Sequence, residues 1–235
     1  MPIAKNKETI IISLGGSLVA PNEIDVGFLK NFRHSLSRYT GSRSAGQKYR
    51  FFILVGGGKI ARNYQKALLE FGAKSTDRDW IGINVSRLNA EVVKQLFAGY
   101  SYEKIITDPT QKIKTNKNIL IGAGYKPGWS TDYVAVLMAK TYGIDTIINL
   151  TNIDYVYDKN PSQFPDAKPL KELDWKGFKN IVGGQWTPGL SMPFDPKASK
   201  LAETLKIKVA IINGANLDRL EDFLNDKPLT GTIIN

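Results

Sequence analysis

The feature that most constrains the fold is the run FFILVGGGKIAR at residues 51–62. Its five apolar residues without polar alternation predict a strand that is buried on both faces, as in a parallel sheet. Three consecutive glycines then leave bare backbone amides at the carboxyl end of this strand, where glycine permits a tight turn and the close approach of a ligand. A helix is predicted from about residue 59 to 71, and its N-terminal amides, with Lys59 and Arg62, would add positive charge there. The run therefore predicts an anion-binding site of the kind that holds phosphate.

The two commonest nucleotide-binding motifs are absent from the sequence. A P-loop needs a glycine five residues before the Gly-Lys pair and a serine or threonine after the lysine, but Ile53 and Ile60 occupy these positions. The spaced glycines at 122–128 contain one residue too many for the dinucleotide-binding pattern. Nucleotide binding by this chain would therefore use a different arrangement.

The composition restricts the chemistry that the chain can perform. Its 235 residues include no cysteine, which excludes disulfides and thiolate metal sites, and the single histidine, His34, leaves little scope for a histidine metal centre. No segment has the length of a membrane span and the N-terminus has no apolar signal core, so we expect a cytoplasmic protein without a membrane partner. The net charge of +10 comes from scattered lysines with one cluster at 112–117, so we expect small anionic substrates and no nucleic acid.

Apolar strands and amphipathic helices alternate along the sequence. The predicted strands lie at residues 9–14, 51–55, 104–106, 118–123, 146–150, 208–212 and 231–235. The predicted helices lie at about 23–39, 59–71, 80–97, 131–142, 171–181, 196–205 and 216–224, and a polar loop is predicted at 40–48. This order predicts an α/β fold with a mostly parallel, doubly wound sheet and helices on both faces. We expect one domain over residues 1–235, with lobes at about 1–145 and 146–235.

Three glycine-rich turns, at 15–16, 56–58 and 122–128, each follow a predicted buried strand. The carboxyl ends of parallel strands share one edge of the sheet, where ligands bind in such folds. A single turn can be a simple tight connection, but three on one edge suit an extended polyanion or two phosphate-bearing ligands that meet end to end. Phosphoryl transfer fits this chain, because that reaction depends on positioning and charge neutralisation. Asp154 follows another strand and could orient a lysine, hold Mg²⁺ through water, or simply form a turn.

Several ordered motifs resemble those of the amino acid kinase family. They are SLGGS at 13–17, VGGGKIAR at 55–62, PGWSTD at 127–132 and TNIDYVY at 151–157. The segments DWIGINVSRLNA at 79–90 and FDPKA at 194–198 further resemble the archaeal-type UMP kinases within this family. The resemblance implies a three-layer α/β/α sandwich, a homo-hexamer, and transfer of the γ-phosphate of ATP to UMP with Mg²⁺ to give UDP and ADP.

The resemblance also implies that the lobe at about 1–145 binds the acceptor and the lobe at about 146–235 binds ATP, and it implies which residues contact each nucleotide. On the ATP side, the implied contacts with phosphates and adenosine come from Gly15, Gly16, Gly58, Arg62, Thr151, Tyr157 and Asn160. On the UMP side, the implied contacts come from Gly57, Asp79, Tyr125, Lys126, Pro127, Gly128, Trp129, Ser130 and Thr131. The Asp79 carboxylate would accept hydrogen bonds from the ribose hydroxyls, and Trp129 could stack on uracil or pack against the protein. No general base is needed, because the acceptor phosphate is already ionised.

The sequence departs from the family pattern at three positions. Ser13 replaces a lysine that many members have, so Lys59 is expected to supply positive charge at the transferred phosphoryl group. Tyr155 replaces a glycine, and Asn160 stands where an aspartate is common. With Gly16 at the transferred phosphoryl group and Asp154 in the loop after a strand, we expect the catalytic residues to be Lys59, Gly16 and Asp154.

Three alternative functions remain open from the sequence. A non-catalytic nucleotide- or oxyanion-binding relative would fit the changes at Ser13 and Tyr155. Another phosphate-acceptor kinase of the same fold, such as an isopentenyl phosphate kinase, would have a histidine in the helix after the glycine triplet, and none lies between Gly58 and Phe71. A basic nucleic-acid-binding module would bind its partner with strong salt dependence. The preference among UMP, CMP and dUMP is also left open.

Overall fold

The computed structural model describes residues 8–40, 49–182 and 192–235. The N-terminal segment 1–7, for which we expected no apolar signal core, lies outside the described residues, as do positions 41–48 of the predicted polar loop. Within the described ranges, no helix has the length and apolar character that crossing a membrane requires.

The described residues form nine strands and eight helices. The strands are β1 (Glu8–Leu14), β2 (Tyr49–Val55), β3 (Ile119–Gly122), β4 (Thr146–Thr151), β5 (Val156–Tyr157), β6 (Pro169–Leu170), β7 (Glu172–Leu173), β8 (Lys208–Asn213) and β9 (Thr232–Ile234). The helices are α1 (Gly16–Val19), α2 (Val26–Thr40), α3 (Gly58–Glu70), α4 (Ser75–Leu96), α5 (Thr131–Tyr142), α6 (Trp175–Val182), α7 (Pro196–Leu205) and α8 (Asp218–Leu224). Strands and helices therefore alternate over most of the chain, as the sequence predicts.

A seven-stranded sheet with the order β3-β2-β1-β4-β8-β9-β7 forms the centre of the molecule. The five neighbours from β3 to β8 are all parallel, β9 runs antiparallel to β8, and β7 is parallel to β9. Strand β1 pairs with β4, so the sheet continues from the first part of the chain into the second. The carboxyl ends of the parallel strands therefore lie along one edge. A division of binding roles between lobes 1–145 and 146–235 stays a prediction.

The two faces of the sheet have separate apolar cores. Successive side chains of a strand point to opposite faces. Ile10, Ile12 and Leu14 of β1 pack on one face with side chains from α2, α4 and α8, while Ile11 packs on the other face with α5, α6 and α7. All four side chains are at most 4% exposed. Helices on both faces make a three-layer α/β/α sandwich, and the predicted fold class is confirmed.

Ser130 and Asp195 cap the helices α5 and α7. The Ser130 side chain accepts a hydrogen bond from the Tyr133 N–H at 3.1 Å at the start of α5. Asp195 Oδ1 accepts one from the Ala198 N–H at 2.7 Å at the start of α7, directly before Pro196. Both caps satisfy amide groups that have no partner inside their helix.

Some local features differ from the prediction. Helix α4 begins at Ser75 rather than at 80, because the polar residues before the first apolar position already form a helical turn. The predicted strand at 104–106 is only an isolated bridge between Ile106 and Gly122. Helix α6 begins at Trp175 rather than at 171, because Glu172 and Leu173 form β7 beside β9. Helix α1 and the β5–β6 hairpin were not predicted, since elements of two to four residues show no periodicity.

Candidate active site

The first two glycine turns pack backbone against backbone at the carboxyl edge of the sheet. The Gly56 N–H donates a hydrogen bond to the Leu14 carbonyl at 2.9 Å, which joins the end of β2 to the end of β1. A Cβ atom on Gly16 would lie 2.3 Å from the Gly56 carbonyl oxygen. Gly58 has a φ of +64°, and a Cβ there would lie 2.3 Å from the Gly16 carbonyl carbon. Only glycine fits at either position, so the backbones of the two turns lie in direct contact.

These turns face a cleft of about 260 Å³ at the same edge. Ten of the predicted contact residues line this cleft: Gly15, Gly16, Gly57, Gly58, Arg62, Asp79, Trp129, Ser130, Thr131 and Thr151. The other predicted residues are not among its lining residues: Lys59, Tyr125, Lys126, Pro127, Gly128, Asp154, Tyr157 and Asn160. The structure thus brings the glycine turns, Arg62, Asp79 and the start of α5 together around one space.

Two cationic side chains follow the glycine triplet, and only one of them faces the cleft. Arg62 lines the cleft, and its Nη2 donates to the Ser17 hydroxyl at 3.3 Å. Lys59 is exposed, and its ammonium donates to Asn22 Oδ1 at 2.6 Å, outside the cleft lining. The positive charge beside the glycine turns therefore comes from Arg62 in this structure.

Helix α4 supplies polar side chains that hold the glycine turns in place. The buried Asn89 donates from Nδ2 to the carbonyls of Gly56 at 2.9 Å and Gly57 at 3.4 Å. Ser86 Oγ accepts the Gly124 N–H at 3.0 Å and donates to the Ile83 carbonyl. These residues were not predicted as site residues. Both residues lie in the segment 79–90 that resembles the archaeal-type UMP kinases, and this resemblance is the only sequence feature that points to them.

Asp79 connects α4 to the loop that follows β3. Its Oδ2 accepts the Gly128 N–H at 2.7 Å, and the residue is 8% exposed. Burial raises the pKa of the Asp79 carboxyl, while the hydrogen bond from Gly128 opposes this shift. Among the described residues, the Gly128 N–H is the one hydrogen-bond donor to this carboxylate, which lines the cleft and can accept a further hydrogen bond from a ligand hydroxyl.

An aromatic group flanks the cleft beside the predicted base pocket. The Trp129 ring, which lines the cleft, makes edge-to-face contacts with Tyr125 and Tyr133 at centroid distances of 5.3 and 4.9 Å. The Lys126 ammonium lies 4.1 Å from the Trp129 ring centroid. Trp129 therefore packs against two tyrosines, has the Lys126 ammonium over its ring, and also lines the cleft.

A pair of aspartates that the sequence analysis did not identify as site residues also lines the cleft. Asp132 Oδ1 accepts the Ser13 hydroxyl at 2.9 Å, and its Oδ2 accepts the Asp195 N–H at 3.2 Å. Burial raises the pKa of Asp132 to about 7, and the negative charge of Asp195 adds to the shift. Burial also raises the pKa of Asp195. The two residues are 63 positions apart in sequence, so nothing local in the sequence indicates that they form a pair.

The predicted residues after β4 lie farther from the cleft. Asp154 accepts hydrogen bonds from Arg219 and from Asn213, and these bonds hold the pKa of Asp154 below its usual value. Asn160 Oδ1 accepts the backbone N–H and the hydroxyl of Ser162, both at 3.0 Å, as in an ordinary turn. The rings of Tyr157 and Tyr155 pack edge to face with their centroids 6.4 Å apart. In this structure, then, Asp154 serves as an ion-pair partner.

The sheet order and the glycine turns around one cleft are those of a family of kinases. Residues 8–213 match the amino acid kinase family, and the chain belongs to that family. This confirms the resemblance found in the sequence.

Within the family, the chain is similar to uridylate kinases over nearly its whole length. It is 31% identical to the uridylate kinase of Pyrococcus abyssi over 93% of this chain and 96% of that one. It is 33% identical to the uridylate kinase of Methanococcus aeolicus over 96% of this chain and 99% of that one. The crystal structure of the uridylate kinase from Archaeoglobus fulgidus superposes with a TM-score of 0.78 at 29% identity, covering 96% of this chain and 99% of that one. A UMP kinase structure from Bacillus anthracis, at 17% identity and a TM-score of 0.73, shares the fold.

Proposed function

We propose that this chain is a nucleoside monophosphate kinase that transfers the γ-phosphate of ATP to UMP, with UDP and ADP as products. The observation that supports the proposal most is the contact of Gly16 with Gly56 and Gly58 along a shared cleft. Backbone from two turns lines the same space, which suits a phosphoryl group that passes between two nucleotides. Similarity to uridylate kinases over almost the full chain supports UMP as the acceptor.

The ATP side of the cleft is proposed to begin at Gly15, Gly16 and Thr151. The N-terminus of α3 faces the same space, and its amides and partial positive charge favour a phosphate there. Arg62 adds a guanidinium that lines the cleft and can contact two phosphate oxygens at once. Gly58 lies between these groups. We also propose that Tyr157 and Asn160 contact the adenosine of ATP. These contacts require ATP to extend beyond the cleft.

The UMP side is proposed to lie between α4 and the loop after β3. Asp79 would accept a ribose hydroxyl with the carboxylate oxygen that the Gly128 N–H leaves free. Trp129 would contact uracil with its exposed surface, and residues 125–131 would surround the base and the acceptor phosphate. Gly57 would place its backbone against the same phosphate.

The reaction requires little from ionisable side chains of the protein. The acceptor phosphate is ionised at neutral pH, so no general base has to remove a proton. The chain's part is to hold the two phosphates in line and to neutralise their charge with Arg62 and backbone amides. Lys59 would add to this only if its side chain left Asn22, and its catalytic role, like that of Asp154, stays a prediction.

Mg²⁺ is proposed as the cofactor that enters with ATP. The described residues contain no group of three or more His, Cys, Asp or Glu side chains that could hold a metal. The cleft nevertheless fits a hard cation, because the carboxyl groups of Asp132 and Asp195 both line it and Asp195 Oδ2 is buried without a hydrogen-bond partner in the described ranges. One or two carboxylates with phosphate oxygens are typical ligands of Mg²⁺. When bound, Mg²⁺ would neutralise phosphate charge.

We also propose a homo-oligomer, for which the resemblance favours a hexamer. Large apolar side chains lie exposed on and beside α3 and α4: Tyr64, Leu69, Phe71, Trp80 and Leu88. Phe71 is 81% exposed and Leu88 67%. Exposed apolar groups of this density commonly mark a protein interface. Light scattering after size exclusion tests this proposal, and a monomeric mass would contradict it.

The proposed reaction is tested by incubating the protein with ATP, Mg²⁺ and UMP and separating the products by ion exchange. The expected result is the appearance of UDP in equal amount to ADP, which an Arg62→Ala variant forms more slowly. If no UDP forms but UMP still raises the melting temperature, the chain is a nucleotide-binding relative without transfer activity, because binding alone stabilises a fold.

A further inference from the structure

The loop at residues 124–128, called the acceptor loop below, is joined to helix α4 at both of its ends. At its start, the Gly124 N–H donates to Ser86 Oγ at 3.0 Å, and at its end the Gly128 N–H donates to Asp79 Oδ2 at 2.7 Å. The two loop ends thus bind side chains that lie seven positions apart, on the same face of one helix. A Cβ on Gly124 would lie 2.9 Å from Ser86 Oγ, so the loop approaches the helix as closely as glycine allows.

Arg87 makes the two remaining bonds between α4 and this loop. Its Nε donates to the Gly124 carbonyl and its Nη2 to the Tyr125 carbonyl, both at 3.1 Å. The guanidinium lies 6.0 Å from the Trp80 ring centroid, which limits its movement on one side. Arg87 makes no ion pair with a carboxylate in the part of the chain that the structure describes. Its donors are therefore directed to backbone carbonyls of the loop.

We infer that Arg87 is a positioning residue that holds the acceptor loop in the conformation that binds the acceptor nucleotide. Arg87 does not line the cleft, whereas Gly124 at the start of the loop and Trp129 directly after its end do, so Arg87 acts through the loop and not by touching the substrate. A planar guanidinium suits this task, because its fixed donors can reach two successive carbonyls at once. The identity of the acceptor as UMP rests on the proposed function.

The ATP side of the cleft should be independent of Arg87. The glycine triplet, whose Gly58 belongs to the ATP side, is held to α4 by a different side chain, Asn89, through the carbonyls of Gly56 and Gly57. Loss of Arg87 would therefore loosen the acceptor loop and leave the triplet in place. Weaker binding of the acceptor with unchanged binding of ATP distinguishes this role from a general contribution to stability.

The test compares Arg87→Ala and Arg87→Lys with the parent chain, and Lys94→Ala is the matched control. Lys94 also lies on α4, where it pairs with Glu91, three residues before it. Two lost bonds from a charged donor should raise the KM for UMP by about ten- to a hundredfold in Arg87→Ala. The KM for ATP should stay within about twofold of the parent. Arg87→Lys should give an intermediate KM for UMP, because an ammonium acts as a point charge and cannot span both carbonyls in the same way.

Hydrogen exchange of the free protein gives a second measurement that does not depend on turnover. Arg87→Ala should speed the exchange of peptides that contain residues 123–130 and leave those that contain 54–60 unchanged. Equal changes in both KM values, or unchanged exchange in the acceptor loop, would overturn the inference. If Arg87→Ala does not fold, Arg87→Lys decides by the same two measurements. If the parent chain does not phosphorylate UMP, the proposed function fails, and the exchange result alone decides the role of Arg87.

Discussion

Replacement of Gly58 by alanine tests whether the contact between the two glycine turns is as tight as the structure shows. Because Gly58 has a φ of +64°, the left-handed backbone conformation would destabilise an alanine there by about 1–2 kcal/mol. Its Cβ would also lie 2.3 Å from the Gly16 carbonyl carbon and 2.4 Å from the Ser17 nitrogen, and relief of such overpacking costs about 1–3 kcal/mol. We expect a loss in the free energy of unfolding of about 2–5 kcal/mol.

Gly72→Ala is the matched control for this variant. Gly72 has a φ of +73°, and no atom lies within 4 Å of the Cβ that alanine would add. Gly72→Ala should therefore lower the free energy of unfolding only by the cost of the left-handed backbone, about 1–2 kcal/mol. Urea denaturation of both variants, followed by assay of phosphoryl transfer, makes the comparison. Equal losses of stability in the two variants, or full activity in Gly58→Ala, would refute the argument that the turns meet backbone to backbone.

Three further predictions concern side chains that line the cleft. Because the pKa of Asp132 is raised to about 7, its contribution to stability is present at low pH and lost as the pH rises from about 4 to 7. Unfolding measured with a chelator present should show a loss on the order of 3 kcal/mol over this range, and Asp132→Asn should flatten the profile. Asp79→Asn should raise the KM for UMP with little change in that for ATP, and a parent-like KM would remove Asp79 from the acceptor site. Arg62→Ala should lower kcat and raise the KM for ATP, and steady-state kinetics identical to the parent would contradict its assignment.

The parts of the fold that the sequence predicts best are those whose pattern is local. The apolar run at 51–55 has no polar position, so it fits only a strand buried on both faces, and β2 ends at Val55 directly before the glycines. The Asp195-Pro196 pair predicts the start of α7 because a cap and a first-turn proline act within one helical turn. The alternation of strands and helices predicts the mostly parallel sheet with helices on both faces, but it does not predict the order of the strands.

The parts of the site that the sequence does not predict depend on contacts between distant positions. Nothing near Asn89 indicates that its side chain reaches the Gly56 carbonyl, 33 residues earlier in the chain. Lys59 follows the glycine triplet directly, yet its ammonium donates to Asn22, 37 residues away in sequence, a contact that the local sequence does not indicate. Ser13 was recognised as a departure from the family pattern. Its hydrogen bond to Asp132 could not be foreseen, because it joins β1 to the start of α5.

The central claim is that the cleft transfers phosphate from ATP to UMP. The most direct measurement is ADP release with ATP, Mg²⁺ and, in separate reactions, UMP, CMP, dUMP, AMP, GMP and isopentenyl phosphate. The account predicts turnover with UMP at a kcat/KM well above that for every other acceptor. No ADP release with UMP, or faster release with another acceptor of the panel, would contradict it.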